Sequence, residues 1–260
     1  MHGHGKRGSL TIVGTGIQVN VQTTPEALAA IEQAEKVLYL VANRPTGYWI
    51  GRLNSTAESL EHFYEPGKNR FVAYQAIVDR ILMYVHQELR VCVVFYGHPG
   101  VFVYPSHEAI RRARDAGFRA RMLPGISAED CLFADLSVDA GISGHQSFEA
   151  TDFLVYRRRF DPHSALILWQ VGAIGNLTHQ PRYEPRGLDL LLEVLQPYYP
   201  LEHEVVIYEA AEYPIAEPRI ERLSLSGIVG AHMTPVSTLY VPPRAAPSPD
   251  PAMLKRLGIA

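Results

Sequence analysis

Residues 91–102 read V-C-V-V-F-Y-G-H-P-G-V-F and combine an apolar run with a glycine- and proline-rich segment. The run Val91–Tyr96 has the length and the β-branched content of a strand buried in a sheet. Gly97-His98-Pro99-Gly100 then breaks the strand and leaves main-chain polar groups at its end. Open α/β sheets bind ligands beyond the carboxyl ends of their strands, so a ligand loop at this edge is one interpretation. A plain connecting turn is the other.

Strands and helices alternate around this stretch, which predicts an α/β fold with a largely parallel first sheet. The strands predicted in the first half are Ser9–Val13, Lys36–Val41, Val91–Tyr96 and Phe118–Met122, and the helices are Pro25–Ala34, Arg70–Leu89, Ser106–Ala116 and Ala128–Leu136. The second half is richer in strand, with Phe153–Val155, Ala165–Trp169, Glu204–Glu209 and Thr238–Val241, a helix at Leu188–Gln196 and a short segment at Met253–Leu257. Pro124-Gly125 interrupts the pattern between the halves. We therefore predict two domains, 1–124 and 125–260.

The composition of the chain argues against several classes of function. The chain has 260 residues, is 47% hydrophobic and carries a net charge of −3, so it offers no basic surface for nucleic acid. No apolar stretch approaches the roughly 20 residues of a membrane span, and the N-terminus lacks an apolar signal segment. Cys92 and Cys131 fit reduced thiols, which together with the missing signal predicts a cytoplasmic protein. His98 and His145 lack acidic or cysteine partners at ligand spacing, so we predict no metal site.

Gly14-Thr15-Gly16 follows the first predicted strand, as in dinucleotide-binding folds, but the rest of that fingerprint is missing. Val19 occupies the place of the third glycine, and no acidic residue ends the second predicted strand to hold a ribose. A phosphate-binding G-x-x-x-x-G-K-[ST] loop is also missing. The sequence therefore argues against a conventional NAD site.

Three loop motifs, in this order and spacing, resemble the tetrapyrrole methylase superfamily: G-T-G at 14–16, G-H-P-G-V-F at 97–102 and P-G-I-S-A at 124–128. That resemblance implies the two-domain fold of the class III S-adenosylmethionine (SAM) methyltransferases, with the cofactor in a cleft between the domains. It also implies SAM as the cofactor and S-adenosylhomocysteine as a product.

Further motifs resemble the borosin backbone α-N-methyltransferases within that superfamily. They are Asn69-Arg70 with Tyr74, S-G-H-Q-S-F-E-A at 143–150, Trp169-Gln170 and S-T-L-Y-V-P-P at 237–243. Tetrapyrrole-ring enzymes typically carry G-D-P where this chain has His98 before Pro99, which favours the peptide-methylating branch.

The fungal borosin enzymes are fused to their substrate peptide, whereas this chain stops at Ala260 without a clasp or a repetitive apolar core peptide. It therefore resembles the bacterial split type. That type implies a separate precursor peptide with a helical leader and a Val/Ile-rich core, and a homodimer that binds two precursors as a heterotetramer.

The family's catalytic residues map onto Tyr64, Arg70 and Tyr74. An amide nitrogen is a poor nucleophile, so its methylation needs a base for the N–H proton and a group that stabilises charge on the carbonyl oxygen. Arg70 and Tyr74 are four residues apart on a predicted helix and share a face, although such a pair is ordinarily a surface contact. We assign Tyr74 as the base, acidified by Arg70, and Tyr64 as the group that binds the carbonyl. Tyr96 would orient the amide and share in proton transfer.

The resemblance also implies which residues line the cofactor pocket. They are Tyr96, His98, Val101, Phe102, Ser127, Ala128, Gln170, Ser237 and Thr238. The Gln170 amide would read the adenine or the methionine end of the cofactor; a buried amide that anchors a loop is the alternative.

Two other functions stay open. One is a tetrapyrrole or other small-molecule methylase of the same fold, against which His98 and the Arg70–Tyr74 pair argue. The other is a catalytically silent subunit that grips a peptide, against which the intact tyrosines argue.

Overall fold

The computed structural model describes residues 8–18, 20–65, 67, 69–176, 178 and 186–259, and these fall into two compact units. The first unit holds the described chain up to Asp135 together with Asn176, Thr178 and the segment Ala210–Pro218. The second holds Leu136–Gly175, 186–209 and 219–259. We predicted a boundary at Pro124, and the first compact unit continues past that residue into the following helix.

The first unit is built on a five-stranded parallel sheet in the order β3-β2-β4-β1-β5. Its strands are β1 (Ser9–Gly14), β2 (Lys36–Leu40), β3 (Glu58–Ser59), β4 (Arg90–Phe95) and β5 (Arg119–Met122). Its helices are α1 (Pro25–Gln33), α2 (Arg44–Leu53), α3 (Arg70–His86), α4 (Tyr104–Asp115) and α5 (Ala128–Leu136). Side chains of α1 and α2 pack on one face of the sheet, and those of α3 and α4 pack on the other.

Side-chain caps fix where these helices begin. The Thr24 hydroxyl accepts a hydrogen bond from Ala27 N (3.2 Å) before α1, and Asn43 Oδ1 accepts one from Thr46 N (3.0 Å) before α2. Asn69 Oδ1 accepts from Phe71 N (2.8 Å) before α3. Each cap satisfies an amide that the first helical turn leaves without a main-chain partner. The α2 helix is absent from the sequence prediction, although Asn43 and Pro45 are the usual start signals of a helix.

The second unit has a mixed sheet in the order β6-β7-β10-β8-β9. Its elements are α6 (Ala140–Ser143), β6 (His145–Glu149), α7 (Ala150–Val155), β7 (Ala165–Trp169), α8 (Leu188–Leu195), β8 (Glu204–Glu209), β9 (Arg219–Ser224), β10 (Thr238–Val241) and α9 (Pro251–Leu257). β6 pairs with β7 in parallel, and the other pairings are antiparallel. One apolar cluster, formed by this sheet with α7 and α8, makes the core of the unit.

The strand predicted at Phe153–Val155 is wrong, because these residues end helix α7. The Glu149 carboxylate accepts a hydrogen bond from Asp152 N (2.7 Å) and caps that helix. Phe153 is buried in the core from its helical position. A short apolar run is compatible with either kind of element, and here the cap favours the helix. Strands β6 and β9 were not predicted.

Among the described residues, no helix combines the length and the apolar content needed to cross a membrane.

A partly buried ion cluster joins β2, β3 and α3 in the first unit. Glu58 pairs with Lys36 Nζ (2.9 Å) and Arg80 Nε (2.7 Å), and it accepts a hydrogen bond from the Tyr84 hydroxyl (2.7 Å). Both cations also lie against the Tyr84 ring, at 4.7 and 4.9 Å from its centroid. Burial raises the pKa of Glu58, but the hydrogen bonds from Arg80, Lys36 and Tyr84 more than offset it and lower the pKa to about 2.

We expect Glu58→Gln to lower the free energy of unfolding at pH 7 by about 1–3 kcal/mol, because the charged partners lose their counter-charge. The folded-state pKa is depressed, so the stabilisation is complete above the unfolded pKa of about 4.5 and is lost as the pH falls toward about 2. In urea unfolding, the gap between wild type and variant should therefore narrow from pH 7 to pH 3. Glu26→Gln, which removes an exposed carboxylate, is the control and should change little. A gap that does not depend on pH would contradict the account.

Candidate functional site

Three loops meet at the carboxyl edge of the parallel sheet in the first unit. The loop 14–16 follows β1, the loop 96–102 follows β4, and the loop 123–128 follows β5. Gly16 and Gly97 exchange two main-chain hydrogen bonds, with N–O distances of 3.3 and 3.0 Å. Leu123 N donates to Ile12 O at 2.8 Å and ties the third loop to the same edge. The structure thus brings together the three motifs that the sequence separates.

Glycines allow these loops to approach so closely. A Cβ atom at Gly14 would lie 2.0 Å from Gly97 O and 2.8 Å from Pro99 Cδ, both impossible distances. Gly97 itself has φ +67°, a conformation that side chains disfavour. Phe102 adopts φ +54°, a strained value for an aromatic residue that closes the loop.

The loop 96–102 presents both polar and apolar groups. His98 Nδ1 accepts a hydrogen bond from Gly100 N (3.0 Å), so the ring hydrogen is on Nε2. The His107 ring contacts Gly100 O at 2.9 Å and supports the turn. Val101 and Phe102 are 40% and 52% exposed, which leaves an apolar surface on the loop available to a ligand.

Tyr96 begins this loop and is partly buried. Its main-chain N donates to Leu40 O (3.2 Å), which joins the loop to the end of β2. Burial raises the pKa of the Tyr96 phenol, and the nearby Glu212 and Cys131 raise it further. Tyr96 is therefore held as a neutral phenol that can donate a hydrogen bond.

Ser127 and Ala128 lie at the start of α5. Ser127 is buried, and its N and Oγ both donate to Asp130 Oδ2 (2.7 Å each), while Asp130 N donates back to Ser127 Oγ (3.2 Å). This reciprocal cap commits the Ser127 hydroxyl to the helix. The Ser127 side chain therefore stabilises the start of α5, and the main chain of Ser127 forms part of the loop.

Tyr64 and Tyr74 meet in an aromatic cluster of the first unit. Their rings pack edge to face at 6.2 Å between centroids, and the Tyr74 ring stacks on Tyr104 at 6.0 Å. Arg70 is the first residue of α3, one turn before Tyr74, so both project from the same helix face. The structure therefore groups the three predicted catalytic residues around the start of α3.

Tyr104 is a member of this cluster that the sequence interpretation missed. It begins α4, two residues after the loop 96–102, and its hydroxyl accepts a hydrogen bond from Gln75 Nε2 (3.1 Å). Gln75 is held in turn by Arg112 through its side-chain oxygen (2.5 Å). A tyrosine directly after a ligand-type loop is the signal that could have identified it.

The second unit contains Gln170, Ser237 and Thr238. Gln170 follows β7 with φ +59°, and its carbonyl accepts from Ala173 N (2.8 Å). Val171 N donates to Ser237 O (3.0 Å), so the segment before β10 lies beside the segment after β7. The unit thus brings Gln170 and Ser237 close to each other. Thr238 begins β10 and is buried.

A carboxylate fixes that segment. Glu209 Oε1 accepts from Ser237 Oγ (2.5 Å), Thr234 Oγ1 (2.9 Å) and Arg219 Nη1 (2.9 Å). Ser237 is fully buried, so its hydroxyl positions the loop from within. The sequence predicts contact with the cofactor for the segment Tyr208–Ala211, but it does not predict that Glu209 anchors Ser237, because only the folded sheet brings Glu209 to Ser237 and Arg219.

Within the described part of the chain, no three His, Cys, Asp or Glu side chains are grouped as metal ligands would be.

The fold has close counterparts among solved structures. Uroporphyrin-III C-methyltransferase from Thermus thermophilus matches with a TM-score of 0.65 at 19% identity, over 91% of this chain and 93% of that chain. A cobalt precorrin-4 methyltransferase matches with a TM-score of 0.64 at 14% identity, over 92% and 96% of the two chains. These likenesses define the fold as that of the class III SAM methyltransferases, which confirms the predicted fold class.

Sequence comparison gives the family. The model of the Tetrapyrrole (Corrin/Porphyrin) Methylases matches residues 9–225, and this chain belongs to that family.

Curated fungal proteins are more similar in sequence. The methyltransferase/omphalotin A precursor of Omphalotus olearius is 41% identical over 97% of this chain and 62% of its own length. The methyltransferase/gymnopeptides precursor of Gymnopus fusipes is 41% identical over 96% and 61%. A type I borosin precursor methyltransferase of Coprinopsis marcescibilis is 40% identical over 92% and 63%. The chain spans about three fifths of the length of these relatives. These matches support the resemblance to the borosin enzymes, whereas the split bacterial type stays a prediction.

Proposed function

We propose that this protein transfers methyl groups from SAM to backbone amide nitrogens of a precursor peptide. The observation that carries the proposal is the stacking of Tyr74 on Tyr104. Tyr104 follows the loop 96–102 by two residues, so the stack brings the predicted base next to the predicted cofactor loop. A methyl donor held by that loop and a peptide held by the tyrosines would then be neighbours.

The residues of the first unit fit the cofactor. Gly14, Gly97 and Gly125 let the three loops pack against one another, which shapes the sheet edge where the cofactor would lie. Val101 and Phe102 offer apolar surface to its nucleoside. The resemblance makes Gln170, Ser237 and Thr238 further candidates for contact with the cofactor. When bound, SAM supplies an electrophilic methyl group on a positively charged sulfur.

The protein's own groups would do the acid–base work. Tyr74 accepts the amide proton as the nitrogen forms its bond to carbon, and it releases that proton to solvent afterwards. Arg70, one turn away, favours the phenolate form of Tyr74 during the transfer. Tyr64 donates a hydrogen bond to the carbonyl oxygen, where negative charge develops. The methyl–sulfur bond breaks as the methyl–nitrogen bond forms, and S-adenosylhomocysteine leaves.

In this scheme Tyr96 keeps the predicted role of orienting the reactants and takes no part in proton transfer. Because burial and Glu212 raise its pKa, Tyr96 stays protonated and orients the reactants as a hydrogen-bond donor. We therefore assign proton removal to Tyr74 alone.

Arg70→Lys tests the electrostatic part of the scheme. We expect methyl transfer to fall by about tenfold to a hundredfold, because an ammonium lacks the planar fork of a guanidinium. Steady-state rates of S-adenosylhomocysteine formation measure the effect, with SAM affinity from calorimetry as the control. A rate within twofold of wild type would remove Arg70 from the mechanism.

A tetrapyrrole or other small-molecule substrate is the second candidate, and the family match favours it. Sequence similarity favours the peptide, since the borosin relatives reach 41% identity while the tetrapyrrole enzyme structures we compare reach 19%. A silent peptide-binding subunit is the third, and it would bind peptide without consuming SAM.

The assembly is proposed from the resemblance. We propose a cytoplasmic homodimer with two precursor peptides. The compared relatives are named as fusions of methyltransferase and precursor, so a separate precursor stays a prediction.

One assay separates these functions. S-adenosylhomocysteine formation is measured with SAM alone, with a Val/Ile-rich synthetic peptide, and with uroporphyrinogen III. Formation that requires the peptide supports the proposal. Formation that requires the macrocycle would replace it with the second candidate. No formation with either substrate, together with peptide binding measured by fluorescence anisotropy, would support the third.

A further inference from the structure

A cavity of about 500 Å³ in the first unit has no role in the scheme above. It lies where β2 ends and α2 begins, and the β3 segment forms its other side. Its lining includes Tyr39, Asn43, Arg44, Gly47, Ser59 and Glu61. The volume falls within the range of about 300–1,000 Å³ that is typical of ligand sites.

Hydrogen bonds of Asn43 and the packing of Gly47 on Tyr39 hold the walls of this cavity in place. The Asn43 side chain caps α2 through Thr46 N (3.0 Å) and donates to Glu212 Oε2 (3.2 Å). Gly47 lies against the Tyr39 ring, which a Cβ atom at this position would approach to 3.0 Å. The cavity is therefore a built feature of the unit.

Two opposite charges line the cavity without pairing. Arg44 and Glu61 form no ion pair with any residue in the described part of the chain, and both are exposed. The Ser59 hydroxyl accepts a hydrogen bond from Glu61 N (3.2 Å), which leaves its hydrogen free to donate. These groups can bind a polar ligand without breaking an existing contact.

Two main-chain hydrogen bonds link the segments that line the cavity to residues of the proposed reaction site. Leu40, at the end of β2, accepts a hydrogen bond from Tyr96 N (3.2 Å). Glu61 O accepts one from Tyr64 N (2.9 Å), so the cavity wall runs directly into the tyrosine that we assign to the substrate carbonyl. A peptide whose amide lies at Tyr64 would therefore place a neighbouring residue near the cavity.

We propose that this cavity binds a polar residue of the peptide substrate next to the methylated amide, and that Arg44 selects an acidic side chain there. The proposal rests on the proposed function, since it takes the peptide as substrate. Arg44 is the first residue of α2, where the helix dipole adds to its positive charge and favours a carboxylate. Glu61 on the facing segment accepts a main-chain N–H of the same peptide and repels a misplaced acid.

Binding of labelled synthetic peptides tests the site directly. The probes are Val/Ile-rich peptides in which one Glu is moved along the chain, each with matched Gln and Lys versions. Fluorescence anisotropy gives the Kd, and mass spectrometry of the same samples with SAM gives methylation. At one position we expect wild type to bind the Glu peptide about fivefold more tightly than the Gln peptide, as for a solvent-accessible ion pair, and the Lys peptide most weakly.

Arg44→Glu should reverse the order of the Glu and Lys peptides. Arg52→Glu makes the same charge change on the same helix outside the cavity lining and should keep the wild-type order.

Equal Kd values for all three versions at every position, or equal effects of the two variants, would overturn the site. Methylation without charge preference would leave the function standing and reject the site. Charge-selective binding without methylation would do the reverse, and no binding by any peptide would reject both.

Discussion

Tyr74→Phe should reduce methyl transfer by at least about a hundredfold while leaving SAM affinity within about twofold of wild type. The phenyl ring keeps the edge contact with Tyr64 and the stack on Tyr104, so the cluster stays packed. Only the hydroxyl that takes the amide proton is lost. Single-turnover rates and calorimetry of SAM binding, on the same preparation, measure the two quantities.

Tyr48→Phe is the matched control, because it removes the hydroxyl of a tyrosine that is 72% exposed on α2. It should retain wild-type rates. A parallel loss of rate and of SAM affinity in Tyr74→Phe would point to a structural role for Tyr74 and contradict the assignment.

The second large effect is expected at the loop junction. Gly14→Ala should weaken SAM binding by at least about a hundredfold and lower the free energy of unfolding by about 1–3 kcal/mol. The added Cβ would lie 2.0 Å from Gly97 O, and the paired hydrogen bonds between Gly16 and Gly97 prevent the loops from separating easily. Calorimetry of SAM binding and urea unfolding test the two parts.

Gly51→Ala serves as its control, since a Cβ atom at that helical position meets nothing within 4 Å. This variant should bind SAM like wild type and be as stable or slightly more so. Wild-type SAM affinity in Gly14→Ala would show that the three-loop junction does not shape the cofactor site.

Local signals in the sequence predicted much of the framework. The apolar run of β4 and the Thr24-Pro25 start of α1 are local features that favour a strand and a helix by themselves. Both elements are in the structure within a residue or two of their predicted ends. The α5 helix has its predicted bounds, Ala128–Leu136. Motif order then indicated the loops that the parallel sheet brings to one edge.

The features that the sequence did not reveal depend on contacts between residues that are distant in sequence, or on segments that are compatible with both a strand and a helix. Glu209 meets Ser237 across the second sheet, and Tyr104 meets Tyr74 between two helices. Neither pair has a local pattern. The apolar run around Phe153 is compatible with a strand or with a helix, and the Glu149 cap favours the helix.

Fragmentation mass spectrometry of a Val/Ile-rich precursor peptide, after incubation with this protein and SAM, tests the proposed methylation most directly. We expect mass increments of one methyl each, located by fragment ions on backbone nitrogens, and none in Tyr74→Phe. Methyl groups on side chains, or an unmodified peptide in the presence of bound SAM, would contradict it.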